Sequence, residues 1–133
     1  MALFGTAVVT GGMLIWPIFN RLIVGGTPQV GAFEAVRLIN RRDAIVLDVR
    51  DQADYAAGHI PNARNIPFSE LSGRLRELEK FKSRPIVINC QSGTRSAKVC
   101  GALKKIGFNE VFALRGGLSG WVEASLPVEK KGP

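Results

Sequence analysis

Apolar positions recur along the chain in two rhythms. Short β-branched runs bounded by turn-formers, Ala44-Ile45-Val46-Leu47, Ile86-Val87-Ile88 and Val111-Phe112-Ala113-Leu114, read as buried strands, and Arg64-Asn65-Ile66 reads as a briefer one. Between these runs apolar residues return every three or four positions. The spacing predicts helices over 31–40 (Phe33, Val36, Leu38, Ile39), 68–82 (Leu71, Leu75, Leu78, Phe81) and 98–107 (Val99, Ala102, Leu103, Ile106), with shorter ones over 54–58 and 118–124. Strands alternating with helices imply an α/β fold, a doubly wound parallel sheet flanked by helices on both faces. Ligands in such sheets bind outside the carboxyl ends of the strands, where Asp48, Arg50, Cys90 and Arg115 all fall.

The first stretch follows neither rhythm. Residues 2–19 carry no charged side chain and include Leu3, Phe4, Val8, Val9, Met13, Leu14, Ile15, Trp16, Ile18 and Phe19. At about 1.5 Å per residue a helix of this length covers about 27 Å, close to the roughly 30 Å of a bilayer's hydrocarbon, and Leu22-Ile23-Val24 extends it past Arg21. Residues 1–24 are therefore expected to form one transmembrane helix, residues 25–28 (Gly-Gly-Thr-Pro) a linker, 29–128 the domain, and 129–133 a flexible tail. A cleaved signal peptide is the rival, but no basic residue precedes the apolar core. A helix buried against the domain is a third reading. Arg21, Arg37, Arg41 and Arg42 follow the segment, so the positive-inside rule puts the domain on the cytoplasmic side of a single-pass cell-membrane protein.

Composition narrows the rest. In 133 residues, 46% hydrophobic and 22% charged, there is material for one domain with a real core. The net charge of +7 suits small anions or an anionic lipid surface, but the basic residues are scattered, and no nucleic acid is expected as a partner. Cys90 and Cys100 are poorly spaced for a disulfide, which points to a reducing compartment. One histidine and two cysteines are too few for a typical zinc site, so no metal is expected.

Candidate chemistry collects in Cys90-Gln91-Ser92-Gly93-Thr94-Arg95-Ser96, a polar loop between a buried strand and a helix. The first N–H groups of a helix lack intrahelical partners and carry the positive end of its dipole, which favours a thiolate placed there. Cys90 is thus the candidate nucleophile. Cys100, inside a helix next to Val99, reads as core, and so do Phe108 and Trp121. His59, in a glycine-proline turn, reads as a hydrogen-bonded structural residue. Lys104-Lys105 and Lys130-Lys131 read as solvated charge.

These residues resemble a known family. Leu47-Asp48-Val49-Arg50, Tyr55 with Gly58-His59-Ile60-Pro61, Asn65-Ile66-Pro67, the Cys90 to Ser96 loop, Gly107-Phe108, and Leu114-Arg115-Gly116-Gly117 followed by Trp121 come in the order found in single-domain rhodanese-like sulfurtransferases. The likeness covers residues 29–127. One departure is Asn62, where the family commonly has glycine; asparagine also tolerates left-handed backbone angles. The resemblance implies that Cys90 takes a sulfane sulfur from thiosulfate or a persulfide donor and passes it to a nucleophilic acceptor, such as glutathione or a thioredoxin-like protein. A persulfide on Cys90 is the intermediate, and no cofactor is required. Backbone N–H groups of Gln91, Ser92, Gly93, Thr94, Arg95 and Ser96 would ring the sulfur, with Arg95 binding an anionic donor or tying the loop down. Asp48 and Arg50 are expected to support the loop from beneath.

Two other function classes use comparable features. Cysteine phosphatases and arsenate reductases close a cysteine loop with arginine, but they resemble loops with five intervening residues; here Gln91 to Thr94 are four. A membrane-tethered adaptor without catalysis is the non-enzymatic alternative.

Overall fold

The computed structural model describes residues 27–91 and 93–130. The chain forms β1 (Gln29–Val30), α1 (Ala32–Arg42), β2 (Ile45–Asp48), α2 (Gln52–Ala57), β3 (Arg64–Asn65), a 3-10 turn (Phe68–Glu70), α3 (Leu71–Arg74), α4 (Arg76–Glu79), β4 (Ile86–Asn89), α5 (Gly93–Lys105), β5 (Val111–Leu114) and α6 (Gly117–Glu123). All strands are parallel, in the spatial order β1-β5-β4-β2-β3. Because successive strand residues face opposite sides, the sheet sorts its apolar runs into two cores. Ile45, Leu47, Ile86, Ile88 and Val111 pack with Leu71, Leu78, Val99, Leu103 and Phe108 on one face. Val30, Val46, Val87 and Leu114 pack with Ala35, Ile60, Ala63 and Trp121 on the other. The doubly wound parallel sheet expected from the sequence is present.

Several elements differ from their sequence-based bounds. The single helix expected over 68–82 is a 3-10 turn and two four-residue helices. Its apolar residues Phe68, Leu71, Leu75, Leu78 and Phe81 return mostly every third position, and the backbone follows with three-residue closures: Glu70 N–H to Pro67 O, Leu78 N–H to Leu75 O and Phe81 N–H to Leu78 O. This tighter winding keeps Leu71 and Leu78 buried under the sheet. The helix expected from Lys98 begins five residues earlier, at Gly93, so the polar loop is itself the first turn. Apolar periodicity could not report that turn, because its residues are polar.

At the termini of the domain, the fold takes in more chain than expected. Thr27 is buried, and the Pro28 carbonyl accepts the Ala113 N–H at 2.8 Å, so the last two linker residues belong to the fold. Strand β1, too short for periodicity to reveal, is held by the Arg115 N–H bond to Val30 O. Glu129, the first residue of the expected tail, is pinned: it exchanges both backbone hydrogen bonds with His59, at 2.8 and 2.9 Å. Asn62 does adopt a left-handed angle, with φ of 65°. The expected membrane anchor, residues 1–24, lies outside the described residues; among those described, no helix is long and apolar enough to cross a membrane.

Candidate active site

Strand β4 delivers Cys90, half-buried, to the carboxyl edge of the sheet, and α5 starts three residues later. A cavity of about 660 Å³ opens there, with Arg50, Asn89, Cys90, Gln91 and Ser96 on one side and residues of α6 on the other. Cys100 sits in the core of α5, and the two cysteines form no disulfide.

The floor is built by strand register. Asp48 and Asn89 are paired neighbours on β2 and β4, and both follow by two the residues that fill the second core, so their side chains share a face. The Asp48 carboxylate is fully buried. It accepts the Arg50 backbone N–H at 3.0 Å, Arg50 Nη2 at 2.8 Å and Nε at 3.0 Å, and the Asn89 amide at 3.2 Å. Arg50 Nη2 also donates to Gly58 O at 2.7 Å. A buried carboxylate needs such partners to be tolerated. Asn65 joins the two ends, donating to the backbone oxygens of Asp48 and Arg50, both at 3.0 Å. Asp48 therefore acts on Arg50 and Asn89, whose N–H groups occupy its oxygens.

The opposite wall is set by Gly116-Gly117. Gly117 has φ of 53°, and a Cβ there would lie 3.1 Å from Asn89 Oδ1 and 3.2 Å from the Cys90 carbonyl oxygen. Only glycine lets α6 approach this closely. A Cβ at Gly120 would lie 2.7 Å from Arg115 O, so the same helix also seats against the end of β5. Asn89 Oδ1, facing Gly117, is buried without a hydrogen-bond partner among the described residues.

Of the other site residues expected from the sequence, Gln91 and Ser96 line the cavity. Gly93 and Thr94 lie in the first turn of α5, and Ser92 lies outside the described residues. Arg95 is exposed, is not among the described residues lining the cavity, and holds its guanidinium 5.3 Å from the Phe68 ring centroid. Arg115, expected at the same crevice, points its Nη1 toward Gly31 instead. His59 is buried away from the cavity lining; its Nδ1 lies 2.7 Å from Tyr55 O, and its ring stacks on Tyr55 at 3.8 Å. The Tyr55 hydroxyl donates to Ala63 O at 2.6 Å, and burial, then the charges of Asp48 and Glu129, push its phenol above the usual value. Among the described residues no group of His, Cys, Asp or Glu is gathered to hold a metal ion.

Sequence reasoning gave no role at the site to Asn89, to Asn65 or to the α6 wall, although Asn65 and the Gly116-Gly117 turn stood among the motifs. Asn89 left a signal, a polar side chain ending an otherwise apolar buried strand. The wall left none beyond its glycines, since its residues meet Cys90 only through the fold.

A parallel sheet of this order, with a cysteine at the end of its central strand and a polar turn opening the next helix, is the arrangement of a rhodanese-like domain. The family model for that domain matches residues 32–124, and the chain belongs to this family. Among curated relatives, the uncharacterized protein YibN of Escherichia coli is 41% identical over 96 residues, spanning 71% of this chain and 67% of YibN. The thiosulfate sulfurtransferase GlpE of Coxiella burnetii is 36% identical over 93 residues, 70% of this chain and 85% of that protein. Among solved structures, a rhodanese-related protein of Thermoplasma volcanium superposes with a TM-score of 0.67 at 31% identity, covering 77% of this chain and 98% of its own.

Proposed function

We propose that this protein is a sulfurtransferase that carries a sulfane sulfur on Cys90. The observation that supports it most is Cys90 itself, half-buried at the mouth of a cavity and three residues before a 13-residue helix whose first N–H groups have no intrahelical partners. In the first step the Cys90 thiolate attacks the outer sulfur of thiosulfate, the sulfur–sulfur bond breaks, and sulfite leaves with the electron pair. With a persulfide donor a thiolate leaves instead. In the second step an acceptor thiol attacks the outer sulfur, and Cys90 departs as thiolate. Splitting the transfer this way needs a good nucleophile and stabilisation of anionic sulfur, which amides of the loop supply without a separate base. A nucleophilic thiol, on a small molecule or on a protein, fits the role of acceptor. The uncharged apolar stretch of residues 2–19 supports a further reading, that the domain is held at the cytoplasmic face of the cell membrane by one helix.

The test is mass spectrometry of the intact chain after thiosulfate treatment, run beside an aryl phosphate assay. Wild type should gain one sulfur and Cys90→Ser none, with unchanged circular dichroism, and sulfur transfer to a dithiol should fall to background in the variant. Phosphatase turnover without sulfur gain would overturn the proposal. A Cys90→Ser chain that still served its cellular partner would favour the adaptor.

A further inference from the structure

We infer that Glu123, on the rim of the Cys90 cavity, selects a positively charged thiol as the sulfur acceptor; this rests on the sulfurtransferase reading above. Two observations carry it. First, the cavity, at about 660 Å³, is far larger than a five-atom inorganic donor needs, and falls in the range of sites that hold ligands of drug or peptide size. Second, its charge is one-sided. Among the described residues that line it, the only ionisable side chains besides Cys90 are Arg50 and Glu123. Arg50 is 9% exposed and committed to Asp48 and Gly58 O. Glu123 is exposed, and its carboxylate has no ion pair or side-chain hydrogen bond among the described residues. It stands beside Val122, 50% exposed, and Leu118, so the α6 wall offers an apolar surface edged by one negative charge. A thiol with an aliphatic stem and an ammonium or guanidinium group matches both features. A carboxylate-bearing thiol meets like charge.

The step selected is the discharge: R–SH attacks the outer sulfur of the Cys90 persulfide, the bond from that sulfur to Cys90 Sγ breaks, Cys90 keeps the electron pair as thiolate, and the thiol proton remains on the product R–S–SH. The chain's net charge of +7 favours anions at long range, so the effect is local and is read as a difference between variants.

The full-length chain is loaded with thiosulfate, loading is verified by mass, and discharge is timed with cysteamine (ammonium), 2-mercaptoethanol (neutral) and thioglycolate (carboxylate). Because each variant meets the same three thiols, their intrinsic reactivities cancel. Relative to wild type, the cysteamine-to-thioglycolate rate ratio should fall about three-fold in Glu123→Gln and about ten-fold in Glu123→Lys, the scale of an exposed ion pair and of its reversal. The differences should vanish at 1 M salt, where the screening length is about 3 Å. Equal ratios in the three proteins, or ratios that change but ignore salt, would sink the inference while leaving the sulfurtransferase reading intact. Failure of Cys90 to take up sulfur in every variant would remove both.

Discussion

Tyr55 is the only tyrosine in the chain, so its titration can be read without assignment. Its phenol is held neutral by burial first and by the nearby carboxylates second, and its folded value lies above the ordinary value of 10.0. The sign of the linkage follows. A raised value means that the folded state holds the proton longer than the unfolded one, so this group's contribution is full below about pH 10 and is lost as pH rises through the folded value. Tyrosinate absorbance should therefore appear at higher pH in the folded chain than in urea. Tyr55→Phe should remove that component of the alkaline loss of stability, though it also removes the bond to Ala63 O. Coincident folded and unfolded titrations would show that neither burial nor the charges of Asp48 and Glu129 act on the hydroxyl. At the same scale, Asp48 and Arg50 were recognisable in the sequence as a motif with a supporting role, and the carboxylate does hold Arg50; that it also engages the Asn89 amide was not legible.

Among elements, the turn into α6 is where geometry leaves least freedom. Gly117→Ala would place a methyl group against Asn89 Oδ1 and the Cys90 carbonyl at a left-handed φ. A cost of about 1–3 kcal/mol is expected, the sum of the left-handed penalty and a local shift. Urea denaturation measures it, and sulfur loading of Cys90 should slow because the shift falls on its own carbonyl. Unchanged stability and loading would mean that α6 can retreat without disturbing β4. The strands and most helices were legible from periodicity because burial on both sheet faces forces continuous apolar runs and burial of one helix face forces a three-to-four repeat. Strand β1, two residues long, is too short to carry a period. The segment over 68–82 carries one, but its threefold spacing wound it into 3-10 and short helical pieces instead of a single helix.

For the whole molecule, the question is how the domain relates to its first 24 residues. Thr27 and Pro28 are built into the sheet edge, so a truncation that keeps residue 25 onward preserves every contact of the described fold. Such a chain should leave the membrane fraction on cell breakage and still take sulfur on Cys90, whereas the full chain should sediment with membranes. A truncated chain that stayed with the membranes would assign attachment to the domain rather than to the apolar stretch.

The sequence by itself determined the alternation of strands and helices, the cysteine at a strand end, and the ordered motifs that mark a rhodanese-like domain. Each depends on neighbours within a few residues, where the periods of strand and helix act directly. Tertiary structure decided which side chains meet at Cys90. Asp48 and Asn89 are 41 residues apart and face each other only because β2 and β4 pair in that register. Arg95 and Arg115, promising by position, lie off the cavity lining, while Glu123, ordinary by position, lies on it. Register and helix docking are fixed by burying both faces of the sheet at once, a condition on the whole chain that no local stretch contains.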